Sequence, residues 1–222
     1  MPFPTESGRP VLTTNIVVFS LRDERLKLLL VRRRNRPFKD YWALPGGVVG
    51  ENEDIEANAM RKLEEGTGVS GVYLEQLYTF GKPTQDPRER VISVAYYALV
   101  PSKRLRLRSD EYGETIAWFA LDEVPELAFD HSEMVNVAHQ RLAAKLDYST
   151  IAFQFMPERF TLSDLQNVYQ IILNRELDKR NFRKRMLTMD QIRQTSEVRR
   201  NGSHRPARLY RISNPHQVQI IK

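Results

Sequence analysis

The sequence predicts an α+β protein in two parts, strands with two helices over residues 1–150 and a small helical module ending in a β-hairpin over residues 151–222. Three observations predict this. At 222 residues the chain is long for one minimal domain and short for two full ones. Strand-like apolar runs dominate its first two thirds, whereas helical spacing and a basic hairpin dominate the last. Charge divides the same way: residues 1–150 hold 20 Lys/Arg against 22 Asp/Glu, residues 151–222 hold 14 against 6, and the net charges are −2 and +8.

The first apolar runs, Thr13–Ser20 and Leu26–Arg32, flank a short polar stretch and predict an antiparallel strand pair. Trp42 to Val49 reads as a short strand pattern broken by the Pro45-Gly46-Gly47 turn. Asp54 to Glu65 reads as a helix with Ile55, Ala59 and Leu63 on one side. Further strands are expected at Val72–Phe80, Val91–Val100 and Thr115–Ala120. A second helix, Glu133 to Leu146, is expected with Ser132 as its cap and Met134, Val135, Val137, Ala138, Leu142 and Leu146 at helical spacing.

Beyond a connector at 148–158, Thr161 is the expected N-cap of a helix that buries Leu162, Leu165, Val168, Tyr169 and Ile172. Asp178 caps a short basic helix, Lys179 to about Thr188. Polar strands at Ile192–Arg200 and Ser203–Ile212 flank Asn201-Gly202, a hairpin-turn dipeptide. Helix, turn, basic helix and basic hairpin is the order of a winged helix-turn-helix module.

Composition excludes several classes. With 41% hydrophobic and 28% charged residues the chain can bury a core. Its longest apolar stretch, Val91–Val100, is far short of the ~18 residues that span a bilayer, and its first ten residues hold no apolar signal core, so a cytoplasmic protein is expected. Zero Cys removes disulfides and thiolate zinc sites, and the four His are too scattered for a zinc pair; neither a structural metal nor a cofactor is expected. The concentrated basic charge of the last third points to a polyanion, with double-stranded DNA ahead of a membrane.

The sharpest motif is Gly47 to Val69, GVVGENEDIEANAMRKLEEGTGV. Its spacing of Gly47, Glu53, Arg61, Leu63, Glu65, Gly68 and Val69 resembles the Nudix box, G-x5-E-x7-R-E-U-x-E-E-x-G-U. An intact box gathers carboxylates on one helix face to hold divalent cations against a diphosphate. Here Lys62 and Gly66 replace two of the three face carboxylates and only Glu65 survives. A Lys three residues from Glu65 is expected to pair with it and repel a metal, so metal-dependent hydrolysis is expected to be lost and no catalytic residue is assigned. Glu53 and Arg61 are expected either to serve the pocket or to brace the loop by a salt bridge.

A pocket can outlast the chemistry. Arg33, Trp42, Gly46, Gly47, Glu53, Arg61, Glu65, Arg88 and Arg90 are the candidate effector-binding residues, supplying donors and a stacking surface. The stretches Asp86-Pro87-Arg88-Glu89-Arg90, Ser93-Val94-Ala95-Tyr96 and Leu127-Ala128-Phe129-Asp130-His131 are similar to those accompanying the box in NrtR, the Nudix-related transcriptional regulators of NAD metabolism. Phe160-Thr161-Leu162, Asn181-Phe182-Arg183-Lys184-Arg185 and Arg205-Pro206-Ala207-Arg208-Leu209-Tyr210 resemble the winged-helix signatures of the same family, so the resemblance covers about residues 11 to 213. It implies an α/β/α sandwich with a mixed sheet followed by a winged-helix domain, a homodimer on a palindromic operator, and ADP-ribose or a related nucleotide as the effector that releases DNA.

The residues agree independently. At roughly 100° per residue, Phe182, Met186 and Met189 form an apolar stripe from which Arg180 and Lys184 point away, flanked by Asn181 and Arg183. Lys179, Arg180, Asn181, Arg183 and Lys184 are therefore candidate DNA contacts, with Arg205 and Arg208 reaching phosphates from the wing. Two alternatives remain open on sequence: an active nucleoside-diphosphate hydrolase with a nucleic-acid-binding tail, and a regulator that senses a sugar.

Overall fold

Strands β1 (Val11–Arg22), β2 (Arg25–Arg32) and β6 (Val91–Val100) form the centre of the sheet, and their composition explains why. Ile16 to Phe19, Leu28 to Leu30 and Ala95 to Val100 are continuously buried rather than alternating, as in strands covered on both faces. The computed structural model describes residues 9–101, 115–200, 206–214 and 217–221. Its sheet has seven strands, in the order β3-β2-β1-β6-β5, with β3 at Trp42–Ala43 and β5 at Tyr73–Phe80. Off that path, β4 (Gly46–Val48) pairs antiparallel with β1, and β7 (Ile116–Ala120) pairs antiparallel with β2.

Helix α1 (Ile55–Thr67) follows β4. Asp54 caps it by accepting from the amides of Glu56 and Ala57, and Gly68 ends it at φ 71°, a left-handed conformation that glycine adopts without a Cβ clash. Helix α2 spans His131–Tyr148, two residues longer at its start than the spacing predicts. Ser132 therefore lies inside the helix and is not its cap. The amides of Glu133 and Met134 bond to the Asp130 carbonyl, so the chain enters the helix through Ala128-Phe129-Asp130.

The described residues divide into two compact units, one comprising 9–19, 27–98 and 115–138, the other 20–26, 99–101, 139–200, 206–214 and 217–221. In the second unit a buried 3-10 turn, Ile151–Phe155, precedes α3 (Leu162–Leu173). Thr161 and Asp164 form a complete capping box on α3, and Leu162, Leu165, Val168, Tyr169 and Ile172 are all buried, as the spacing predicts. Asn174 ends α3 at φ 49°, and Asp178 caps α4 (Lys179–Leu187) through the Asn181 amide. Strands β8 (Ile192–Arg199) and β9 (Ala207–Ile212) pair antiparallel with a register shift between Gln194 and Val198. The predicted Asn201-Gly202 turn lies outside the described residues.

Candidate functional site

Helix α1 and the loop before it build the first part of the site. Glu53 accepts from the Gly50 amide at 3.2 Å and from Asn58 Nδ2 at 2.8 Å, which fixes the loop against the helix. Arg61 grips Glu53 with Nε and a terminal nitrogen at 2.7 and 2.8 Å, and Glu65 with its other terminal nitrogen at 2.9 and 3.0 Å. Lys62 Nζ donates to Glu65 Oε2 at 3.0 Å. The hydrogen bonds from Arg61, then Asn58, hold the Glu53 carboxyl down to about 2, and those from Arg61, then Lys62, lower that of Glu65.

This donor set does not fit a divalent cation. Glu65 is the one surviving carboxylate of the metal face and already accepts from two cationic side chains, while Gly66 offers no ligand. Among the described residues no cluster of three His, Cys, Asp or Glu is placed to hold a metal.

Two cavities open beside the box and share Arg33, Leu44 and Gly46 as lining. The first, about 300 Å³, is cationic: Arg33, Arg34 and Lys62 line it with Asn35, Glu65 and Gly66. The second, about 250 Å³, is walled by Gly47, Thr13, Asn15, Gln85, Arg88, Ser93, Phe129 and His131 among others. Strand pairing explains the glycine between them. Gly46 lies opposite Asn15 in the β1–β4 ladder, and a Cβ there would come within 2.1 Å of the Thr14 carbonyl oxygen.

Arg33 is positioned by its neighbours. Its guanidinium carbon lies 4.6 Å from the centre of the Phe129 ring, and its Nε donates to the Pro37 carbonyl at 3.2 Å. Phe129 itself has φ 57°, a strained backbone for a bulky side chain, and Phe38 packs edge-on against it at 4.8 Å. In the second cavity Gln85 Nε2 donates to Ser93 Oγ at 2.6 Å, while Gln85 Oε1 is buried with no partner among the described residues. Arg88 forks onto Asp86 at 3.0 and 2.7 Å.

His131 Nδ1 accepts from the buried Leu44 amide at 3.0 Å, so the ring is neutral and carries its proton on Nε2. Burial, reinforced by the charge of Arg33, pushes the imidazole down to about 3 from 6.5. A depressed histidine stabilises the fold fully above about 6.5 and loses that contribution as the pH falls from there through about 3. Urea unfolding is expected to show wild type losing more stability between pH 7 and pH 5 than His131→Gln, which keeps an acceptor but does not titrate. Parallel pH curves for the two proteins would show that His131 carries no such linkage.

The structure brings together Arg33, Gly46, Gly47, Glu65 and Arg88 from the sequence candidates as cavity lining. It places four others elsewhere. Glu53 and Arg61 brace the loop, Arg90 donates to the Gly81 carbonyl at 2.6 Å, and Trp42 packs edge-on against Phe119 at 4.8 Å. Sequence reasoning missed Arg34, Asn35, Thr13, Asn15 and Ser93 as lining, and treated Lys62 only as a lost ligand. For Ser93 a signal existed, a polar residue inside the apolar β6 run.

In the second unit Phe182, Met186 and Met189 are buried, and Lys179, Arg180, Asn181, Arg183 and Lys184 are exposed. The helix thus docks by one stripe and offers amide and cationic groups on the remainder. Arg185, also on α4, donates to the carbonyls of Leu146 and Asp147 at the end of α2, at 3.1 and 2.8 Å. Arg208 on β9 is exposed and donates to Gln194 Oε1 at 3.0 Å, whereas Arg205 lies outside the described residues.

Comparisons with known proteins agree with both halves. The NUDIX domain family matches residues 11–138, and the NrtR DNA-binding winged helix domain matches residues 152–212. The ADPR responsive transcriptional repressor NtrR of Acinetobacter baylyi is 38% identical over 208 residues, which cover 92% of this chain and 82% of that protein. The crystal structure of Shewanella oneidensis NrtR complexed with a 27mer DNA superposes with a TM-score of 0.79 at 35% identity, covering 92% of this chain and 94% of that one. The NUDIX domain of the same Shewanella protein, crystallised with ADP ribose, matches with a TM-score of 0.57 at 36% identity over 64% of this chain and 94% of that one. The expected fold class, a Nudix domain with a mixed sheet and helices followed by a winged helix, therefore stands. The chain belongs to the NrtR family, in which a Nudix domain is joined to a DNA-binding winged helix.

Proposed function

We propose that this chain is a transcriptional repressor that binds double-stranded DNA through residues 151–222 and is released from it when ADP-ribose occupies the Nudix domain of residues 1–150. The observation that carries this reading is one chain holding both a cationic cavity beside a disabled metal face and an exposed basic helix. Arg33, Arg34 and Lys62 give the cavity the charge a diphosphate requires, and the second cavity, of mixed polar and apolar lining, has the donors and acceptors that a nucleoside or ribose moiety needs. A homodimer on a palindromic operator follows from the family, because two-fold protein symmetry is mirrored in paired half-sites. Among the described residues no helix is long and apolar enough to cross a membrane. A repressor acts where the chromosome is, and we place it in the cytoplasm.

The Nudix domain works here as a sensor and not as an enzyme. Lys62 and Gly66 replace two of the three box carboxylates that would hold a metal to activate water at phosphorus. Incubation with ADP-ribose and magnesium or manganese is expected to yield no turnover, and a rate above about 1 per second, the low end of ordinary enzymes, would overturn the sensor reading. Calorimetry against ADP-ribose and against free pentoses separates nucleotide sensing from sugar sensing, with heat expected from the first only.

A further inference from the structure

We propose that Lys62 takes the place of the divalent cation in effector recognition, its ammonium meeting the effector's diphosphate directly, so that the effector binds without metal. This rests on the reading of the domain as a diphosphate sensor and goes beyond it by assigning the group that neutralises the phosphates. Lys62 lines the same cavity of about 300 Å³ as Arg33 and Arg34. Its aliphatic stem lies over Gly47, where a Cβ would come within 2.8 Å of Lys62 Cε. Gly47 therefore leaves the space in which Lys62 crosses to the cavity.

Glu65 has a new task in this arrangement. Its carboxylate, held by Arg61 from one side, receives one of the three Lys62 donors at 3.0 Å and orients the ammonium. Relative to an intact box, Lys62 for Glu shifts the site by two positive charges and Gly66 for Glu by one more. A bound divalent cation would shift it in the same direction. Gly66 also lines the cavity, and a Cβ built on it meets only Pro45 Cβ at 3.7 Å, so its missing carboxylate is open space on that wall. An ammonium neutralises phosphate oxygens but activates no water, and the result is capture of the diphosphate without hydrolysis.

The test is calorimetric titration of the full chain with ADP-ribose in EDTA and in magnesium, repeated for Lys62→Gln and Lys62→Arg and with adenosine as a phosphate-free probe. Wild type is expected to bind ADP-ribose equally in both buffers. Lys62→Gln is expected to bind it on the order of 10- to 100-fold more weakly, the loss of one charge-assisted contact, while adenosine binding is unchanged and Lys62→Arg recovers most of the loss. Wild-type binding that requires magnesium, or a Lys62→Gln protein that binds ADP-ribose like wild type, overturns the inference and leaves the sensor reading standing. The EDTA arm needs no variant, so a folding defect does not blunt the test. Failure of wild type to bind ADP-ribose in either buffer overturns the sensor reading and the inference together.

Discussion

Asn181→Ala and Lys184→Ala are each expected to weaken binding to the operator by about 1–3 kcal/mol and to a scrambled duplex by much less. Both side chains are exposed on α4, while the buried Phe182 and Met186 fix the helix from its other side. An Asn or Lys on such a face can pair with base edges in the major groove, and losing a base contact removes specificity. Arg208→Ala is expected to behave differently, because a residue on the wing strand that meets phosphate contributes equally to every sequence. It should weaken both duplexes alike and reduce the salt slope by about one unit. Titrations of both duplexes over a series of salt concentrations separate these outcomes. Equal losses on both duplexes for the two helix variants would make α4 a phosphate clamp and refute base reading.

Arg33→Ala is expected to lower ADP-ribose affinity on the order of 100-fold, since Arg33 lines both cavities and a charged fork on phosphate contributes up to about 3 kcal/mol. DNA binding without effector should be retained, giving a repressor that no longer releases. Arg33→Lys should recover only part of the loss, because a lysine keeps the charge but not the guanidinium contact over the Phe129 ring or the fork geometry. Effector titrations followed by anisotropy of labelled operator measure both properties in one protein. An Arg33→Ala protein still released by wild-type concentrations of ADP-ribose would move the effector out of these cavities.

The fold was legible where local chemistry decides it. Thr161 and Asp178 cap the helices they were expected to cap, because a short polar side chain before an apolar period has few other uses, whereas Asp54, read as the first residue of its helix, is the cap before it. Ser132 misled for a related reason. It precedes a good helical period, but the backbone is already helical at His131, whose ring accepts from the Leu44 amide across 87 residues of sequence. The box motif located Glu53, Arg61, Lys62 and Glu65 because one helix and its preceding loop hold all four. The cavity walls were legible only in part, since Arg34 and Asn35 follow β2, Ser93 lies on β6 and His131 begins α2. No sequence spacing relates such residues; the sheet order brings them together. Trp42 shows the converse, a residue adjacent to the site in sequence that faces Phe119 instead.

If effector and DNA oppose each other through one protein, linkage makes the opposition symmetrical. The most direct test measures ADP-ribose affinity twice, for free protein and for protein saturated with operator, alongside operator affinity with and without saturating ADP-ribose. DNA is expected to weaken ADP-ribose binding by the same factor by which ADP-ribose weakens DNA binding, a factor of about 5 to 150 for ordinary coupling. Tight ADP-ribose binding of equal affinity in the presence and absence of operator would contradict it.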